Sequence, residues 1–315
     1  MKYLKLIILS IISLLLTSCT STKKINENTF NIVTSFYPIY LLTSNITKDI
    51  HNVSVENLTS PTEGCLHDYQ LTTADLRHLE NADCLIINGL GMEGFIDKAL
   101  EQYPDLIIID TSKDTASLNL LESSHTHNHD EHTDEDEDEH DHIHNETCEF
   151  NSHIWLDMDN AVVQAKSIST ALGNLDKENK DLYDSNFEKF KSNVAAVNND
   201  ISIPSETKLT ISFHEGFDYM IEKYGFHIEK TFSLEENAQA SAHEISELID
   251  EINEDDIKVL FAADDSTLNI AKTIANETDA KIYILDPITT GDGNYMEYIE
   301  KMSNNIKVIQ EAYYE

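Results

Sequence analysis

Short apolar segments alternate with amphipathic ones along both halves of the chain. The apolar segments have the length and composition of buried strands and lie at 30–36, 53–58, 84–88, 106–110, 208–213, 227–232, 258–262 and 281–285. The intervening segments repeat apolar residues at helical spacing, at 38–50, 72–82, 93–102, 215–224, 242–252, 267–276 and 295–312. This alternation predicts parallel sheets with helices on their faces, the α/β class.

A longer helical pattern separates the two halves. Residues 160–172 form one helical segment, and from Asp176 onward apolar residues recur at steps of three and four as far as Ile201. The chain is longer than the length that a single hydrophobic core usually supports. We therefore expect two lobes, each with a mostly parallel sheet, joined by a long rigid helix: an N-terminal lobe at 30–157, linking helices at 158–203 and a C-terminal lobe at 204–315.

Local signals mark the starts of two helices. Thr72 with Asp75, and Ser241 with Glu244, match the capping-box pattern, in which two side chains satisfy the first backbone N–H groups of a helix.

The first residues carry the pattern of an export signal. A basic start precedes an apolar run at 6–16, too short for a membrane-spanning helix, which needs about 20 residues. Residues 16–19 resemble the cleavage signal of bacterial lipoproteins. We expect a signal peptide at 1–18, a lipid on Cys19, a polar tether at 19–29 and an extracytoplasmic protein anchored to the cell membrane. An ordinary signal peptide with a chance cysteine is the alternative.

No strand or helix pattern is present from residue 112 to residue 150, and we expect a disordered loop there. The segment from Glu122 to Glu149 holds twelve Asp and Glu and no Lys or Arg. It also holds seven histidines, a composition that indicates weak metal binding: His125, His127, His129, His132, His140, His142 and His144. A solvated acidic spacer is the alternative.

The formal net charge is -37, and without the twelve acids of that segment it is -37 + 12 = -25. A charge of this sign argues against nucleic acid as a partner, because the phosphate backbone would be repelled. It favours solubility and cationic partners without identifying a function.

Four residues of metal-binding type are candidates for one site. His67 follows the second predicted strand, His214 ends the strand at 208–213, and Asp286 ends the strand at 281–285. His153 has no ligand at short helical spacing, so its partners must come from elsewhere in the chain. Ligands of open α/β sheets bind beyond the carboxyl ends of strands, so we expect the four to converge in the cleft between the lobes. Three imidazoles and a carboxylate suit Zn²⁺, although Mn²⁺ or Fe²⁺ is also possible.

Neighbouring residues leave some assignments open. Asp264 and Asp265 also follow a strand and are alternatives to Asp286. Asp68 and Glu215 stand beside two of the histidines and are expected to orient the imidazoles. Four histidines in ordinary helix, strand or turn positions are assigned no role: His51, His78, His227 and His243.

The cysteines suggest one disulfide. Cys65 lies two residues before His67 and Cys148 five before His153, so the two cysteines are near each other if both histidines reach one site. Cys84 lies within an apolar strand pattern and is expected to be a buried small side chain.

Four ordered segments, 64–69, 151–157, 213–219 and 285–287, resemble the metal-site segments of the zinc/manganese substrate-binding lipoproteins of ABC importers. The resemblance extends from Phe30 to the C-terminus and includes the acidic histidine-rich loop. It implies two α/β lobes joined by a rigid helix, with the metal at their interface.

Carried over by position, the resemblance makes His67, His153 and His214 ligands. Asp286 stands where the family often has a fourth carboxylate, although some zinc members use water there. A histidine at 214 favours zinc, because the manganese branch tends to place a carboxylate at this position. Met158 departs from the proline that many members have there.

The implied function is capture of Zn²⁺ and its delivery to a membrane permease by a monomeric protein that is not an enzyme. A Mn²⁺- or Fe²⁺-binding protein of the same transporter class and an adhesin-type surface lipoprotein are alternatives. A zinc hydrolase is disfavoured, because the chain has neither a His-Glu-x-x-His helix nor a Gly-x-Ser-x-Gly turn.

Overall fold

The computed structural model describes residues 29–60, 69–123, 149–199, 201, 204–232, 241–263 and 267–315. Eight strands are β1 (Phe30–Thr34), β2 (Val53–Asn57), β3 (Cys84–Ile87), β4 (Ile107–Asp110), β5 (Lys208–Ser212), β6 (Phe226–Thr231), β7 (Val259–Ala262) and β8 (Lys281–Ile284). The helices are α1 (Tyr37–Thr47), α2 (Thr73–Leu79), α3 (Asp97–Leu100), α4 (Met158–Leu175), α5 (Lys180–Asn199), α6 (Asp218–Lys223), α7 (Ala242–Glu254), α8 (Thr267–Glu277) and α9 (Glu297–Tyr314).

The strands form one four-stranded sheet in each half of the chain. The strand orders are β2-β1-β3-β4 and β6-β5-β7-β8, and every neighbouring pair is parallel. The two sheets therefore share one topology, and the predicted α/β class with two lobes is confirmed. In the described part of the chain no helix is both long and apolar enough to cross a bilayer.

Burial on both faces explains the unbroken apolar runs of the strands. In β1, Ile32 packs into an apolar cluster on one face of the sheet and Val33 into a smaller cluster on the other. In β3, Ile86 and Leu85 are divided between the same two clusters. Successive side chains of a strand point to opposite faces, so a parallel strand covered by helices on both sides needs apolar residues at consecutive positions.

One apolar cluster runs through both lobes. Its members include residues of the first lobe, of the linking helices and of the second lobe: Phe36, Leu42, Tyr183, Phe190, Met220, Phe261 and Tyr298. The linking helices α4 and α5 pack against each other and against α1, and α9 of the second lobe packs on α1 and α5. The connection between the lobes is therefore a pair of helices inside a shared core, with α5 as the long helix leading into the second lobe.

The helix predicted at 93–102 is wrong over its first part, because only α3 is helical there. The reason is the side chain of Glu93, which is buried and accepts bonds from Asn88 N (2.6 Å), Gly89 N (3.0 Å) and Ser35 Oγ (2.8 Å). Burial raises the pKa of Glu93 to about 7, against the lowering effect of these donors. Glu93 thereby fixes the loop after β3 to the loop after β1.

Residues 112–123, predicted to be part of a disordered loop, include the 3₁₀ helix Thr115–Ser117 and leucines that pack into a small apolar cluster. Leu118 is buried in a cluster with Ile154 and Tyr219, and Leu120 and Leu121 pack against the same cluster. Glu122 forms an antiparallel bridge with Phe150. The seven histidines of the loop, Cys19, Cys65 and Cys148 lie outside the described residues. Cys84 is buried, as predicted.

The buried carboxyl group of Glu93 predicts a pH dependence of stability. Its pKa is about 7 in the folded protein against an ordinary value of 4.5. The stabilisation that the protonated group provides is therefore fully present below pH 4.5 and is lost as the pH rises through 7. The free energy of unfolding of the wild type, relative to that of Glu93→Gln, should fall by about 3 kcal/mol over this range.

Urea unfolding of both proteins at several pH values measures this difference. Glu101→Gln changes an exposed glutamate of the same region and serves as the control. Parallel pH profiles for the wild type and Glu93→Gln would contradict the prediction.

Candidate metal centre

His153 lies in a buried segment that leads into the linking helices. Its side chain is 2% exposed, and the short 3₁₀ helix Ile154–Leu156 follows it. Asp157 then caps α4, because its Oδ1 accepts a bond from Asp159 N at 2.7 Å. The position of the imidazole is thus determined by a cap one helical turn further along the chain.

Asn151 orients the imidazole of His153. Its Oδ1 accepts from the backbone N–H of His153 and from His153 Nδ1, both at 3.0 Å, and its Nδ2 donates to Glu215 O at 2.9 Å. These partners require the amide oxygen to face the histidine, so Nδ1 of the ring carries the proton. The lone pair then resides on Nε2, which is the tautomer of a histidine that binds a metal through Nε2.

His214 follows β5 and caps the 3₁₀ helix Glu215–Phe217. Its Nδ1 accepts from Gly216 N at 2.9 Å, so the proton of the neutral ring is on Nε2. A metal ion bound at either nitrogen of this ring would break the cap, at Nδ1 by displacing the Gly216 N–H and at Nε2 by moving the ring proton to Nδ1. His214 differs in this respect from His153, whose tautomer is already that of an Nε2 ligand.

The structure brings the two imidazoles together from different lobes. Their ring centroids are 5.3 Å apart in an edge-to-face arrangement. A Cβ atom on Gly216 would stand 2.8 Å from His153 Cδ2 and 2.9 Å from His214 Nδ1, so only glycine fits between them. The spacing is compatible with one ion lying about 2.0–2.1 Å from a nitrogen of each ring.

Further contacts join the two histidine segments. Lys223, at the end of α6, pairs with Asp157 Oδ1 at 2.7 Å and with Asp159 Oδ2 at 2.8 Å. Tyr219 donates its hydroxyl proton to Asn151 O at 2.6 Å and accepts from Leu121 N at 3.2 Å. The root of the histidine-rich loop is thus held to the same segments as the two imidazoles.

Glu215 was predicted to orient an imidazole, and it lies buried beside His214. Its Oε1 accepts from Ser123 Oγ at 3.1 Å, and its carbonyl accepts from Asn151. Burial, together with the charges of Glu215 and Glu222, raises the pKa of nearby Asp218 to about 8. The Asp218 carboxyl is therefore largely protonated at neutral pH.

Asp286 follows β8 at the same edge of the second sheet. Its carboxylate accepts from Ile288 N at 2.7 Å and pairs with Lys301 Nζ at 2.9 Å. The next residue, Pro287, accepts a bond at its carbonyl from Trp155 Nε1 at 2.9 Å, and the Trp155 ring lies 5.1 Å from that of His153. Asp286 is therefore linked to the His153 segment through one intervening tryptophan.

Of the four predicted ligands, the structure brings His153 and His214 together. Across the described ranges, no three or more His, Cys, Asp or Glu side chains are grouped so as to hold one ion, and the role of Asp286 as a fourth ligand stays a prediction. His67, Asp68, Asp264 and Asp265 lie outside those ranges. The roles of Asn151 and Tyr219 were not predicted, although the two-residue spacing from Asn151 to His153 is a recognisable local signal.

The family described as ZnuA, zinc-uptake complex component A, periplasmic, has a model that matches residues 32–312. The chain belongs to this family. It is a family of transport components and not of enzymes, as the sequence predicted.

Relatives of the zinc-uptake component A family cover nearly all of the chain. The zinc-binding lipoprotein AdcA of Streptococcus pneumoniae R6 is 26% identical over 99% of this chain, which spans 61% of that relative's length. The high-affinity zinc uptake system protein ZnuA of Bacillus subtilis is 25% identical over 99% of this chain and 98% of its own.

Solved structures show the same fold. The substrate-binding protein FpvC of Pseudomonas aeruginosa in complex with Mn²⁺ superimposes with a TM-score of 0.73 at 21% identity, covering 90% of this chain and 99% of the other. The chain therefore has the same two-lobed fold as that protein.

The hydrogen bonds of Asn151 predict a loss of metal affinity when this side chain is removed. Asn151→Ala deprives His153 Nδ1 of its acceptor and Glu215 O of its donor, and losses of this kind typically weaken metal binding by about 10–100-fold. Competition of the protein with a chelator for Zn²⁺ measures the change.

Asn151→Asp retains the two acceptor roles and loses the donor, so its affinity should fall between those of Asn151→Ala and the wild type. Asn253→Ala, on the exposed side of α7, is the matched control. A folded Asn151→Ala protein with wild-type affinity would show that this asparagine does not orient the site.

Proposed function

We propose that this protein is the extracytoplasmic metal-binding component of an ABC importer, which captures Zn²⁺ between its lobes and delivers it to a membrane permease. The observation that carries the proposal is the pair of imidazoles of His153 and His214, one from each lobe, with ring centroids 5.3 Å apart. Membership of a zinc-uptake family supports the same conclusion.

The proposed ligands are His67, His153 and His214, with Asp286 or a water molecule in the fourth position. Histidine nitrogens and a carboxylate are the donor types that Zn²⁺ takes in proteins, usually in a set of four. The same set accepts Mn²⁺ with lower preference, because imidazole suits zinc better than manganese. Two of these ligands belong to segments that Asn151 and Tyr219 tie together across the lobes.

The ion is cargo in this proposal, so it must both bind tightly and leave. Imidazoles bind a metal only when they are neutral, so affinity falls as the pH falls and the rings take up protons. Because the lobes share one core, release cannot depend on a wide hinge opening and has to come from local changes at the ligands.

The histidine-rich loop is proposed to hold several divalent ions weakly and to supply the cleft. Its two ends support this role by position, because Ser123 N donates to Glu149 O at 3.2 Å and Ser123 Oγ donates to Glu215 beside His214. Ions held by the loop would therefore be concentrated next to the site.

The remaining parts of the proposal follow from the family and the N-terminal signal. A lipid on Cys19 would anchor the protein to the outer side of the cell membrane, and the membrane permease is its partner. The protein is proposed to act as a monomer with a Cys65–Cys148 disulfide.

We expect the tight binding event to be lost when two of the proposed ligands are removed. In His67→Ala/His153→Ala, calorimetric titration with Zn²⁺ should lack the tight event, because two of about four donors are gone, and should keep the weak events of the loop. His227→Ala/His243→Ala removes two exposed histidines and is the matched control. Tight binding that persists in the first variant would refute the proposed site.

Replacing the histidine-rich loop should remove the weak binding events and keep the tight one. Since Ser123 and Glu149 are already hydrogen-bonded across an antiparallel bridge, an Asn-Gly turn can replace residues 124–148 without straining the lobes. Elemental analysis after zinc loading should then give fewer zinc ions per protein, while the tight event remains. Loss of the tight event in this variant would show that the loop itself contributes to the cleft site.

A further inference from the structure

The carboxylate of Asp286 has a counterion on the last helix. Lys301, in the second turn of α9, places Nζ 2.9 Å from Asp286 Oδ2 and donates to Thr290 O at 2.7 Å. The other carboxylate oxygen, Oδ1, accepts from Ile288 N. Both oxygens of Asp286 are therefore engaged by donors of this chain, one of them positively charged.

The backbone of Asp286 is held as firmly as its side chain. Asn305, which is fully buried, accepts from Asp286 N at 2.8 Å and donates to Asp286 O at 2.8 Å. The side chain of Lys301 is 21% exposed and that of Asp286 is 38% exposed, so water screens the pair in part. Because the backbone cannot shift easily, Asp286 can turn toward an ion only by rotating its carboxylate away from Lys301.

We propose that Lys301 is a specificity-determining residue of the metal site, which disfavours Mn²⁺ relative to Zn²⁺ by compensating the charge of Asp286. The inference rests on the proposed function and deepens it. With its charge compensated, Asp286 attracts an ion less, and the ion depends more on the histidines. Imidazoles suffice for Zn²⁺, whereas Mn²⁺ gains more from carboxylate oxygen.

The selectivity that the Lys301–Asp286 pair would cause can be distinguished from a general repulsion of cations by the lysine charge. A positive charge near the cleft repels Zn²⁺ and Mn²⁺ alike, since both carry two charges, and this effect cancels in the ratio of the two affinities. Competition between Lys301 and a metal ion for the Asp286 oxygen does not cancel in this ratio, because it weakens binding mainly of the ion that gains more from carboxylate oxygen. The ratio of affinities therefore isolates the proposed role.

The test measures Zn²⁺ affinity by chelator competition and Mn²⁺ affinity by the paramagnetic resonance signal of the free ion. Lys301→Gln removes the charge and should raise the Mn²⁺/Zn²⁺ affinity ratio about tenfold. Asp286→Asn should lower Mn²⁺ affinity more in the Lys301→Gln background than in the wild type, because only there is the carboxylate uncompensated. Lys301→Arg retains the pair and should restore the wild-type ratio.

Lys307→Gln, an exposed lysine of the same helix, is the matched control and should leave the ratio unchanged. A ratio within about twofold of the wild type in Lys301→Gln, or a raised ratio that survives Asp286→Asn, would overturn the inference while the wild type still binds Zn²⁺ tightly. Absence of tight binding in the wild type would instead overturn the proposed function, and this inference with it.

Discussion

The indole ring of Trp155 lies where the two lobes meet behind the candidate metal centre. The ring is fully buried, packs edge-to-face on Phe36 of the first lobe at 5.0 Å and lies 5.1 Å from the imidazole of His153. Its N–H donates to Pro287 O, and its own carbonyl accepts from the Tyr298 hydroxyl of the second lobe at 2.7 Å. Separating the lobes at this point would leave two buried polar groups without partners and expose a large aromatic surface, a cost of several kcal/mol.

This constraint determines what can move when an ion binds. The residues around Trp155 belong to the apolar cluster that runs through both lobes, so a wide hinge motion would have to open the core itself. The ring centroids of His153 and His214 lie 5.3 Å apart, held by the same contacts that hold the lobes together. Rearrangement is then confined to side chains that have alternative partners: the His214 ring, which caps a 3₁₀ helix, and the Asp286 carboxylate, which pairs with a lysine.

Features encoded by neighbouring residues could be predicted from the sequence. The strands follow from unbroken apolar runs, and the capping boxes of Thr72 and Ser241 are present as predicted, because each depends on residues three apart. The approach of His153 to His214 was expected from the resemblance of their segments to metal-site segments of a known family, whereas the strand-end rule applies to His214 and not to His153, which follows no strand.

Features that depend on distant partners could not be predicted in this way. The turns that replace the start of the helix at 93–102 result from Glu93 bonding to Ser35 and to the loop after β3, contacts that helical periodicity does not contain. Leu118 belongs to a short leucine-rich stretch without a strand or helix pattern, and it is buried because Ile154 and Tyr219 lie nearby in the fold. The pairing of Lys301 with Asp286 is local to one lobe, yet nothing in the spacing of fifteen residues distinguishes it from an exposed lysine.

Charge explains attraction to the site but not discrimination within it. A net charge of -37 draws every divalent cation toward the protein, and the effect decays over a Debye length of about 8 Å at physiological salt. Zn²⁺ and Mn²⁺ carry the same charge, so this field raises the local concentration of both. Discrimination must come from the donor atoms, and the proposed donors differ in what binding would cost them. The His153 imidazole has the tautomer of an Nε2 ligand, the His214 imidazole would give up a helix cap, and the Asp286 carboxylate would leave a lysine. An ion that binds well to imidazoles alone does not require Asp286 to leave Lys301. This is the physical basis for expecting zinc as the cargo.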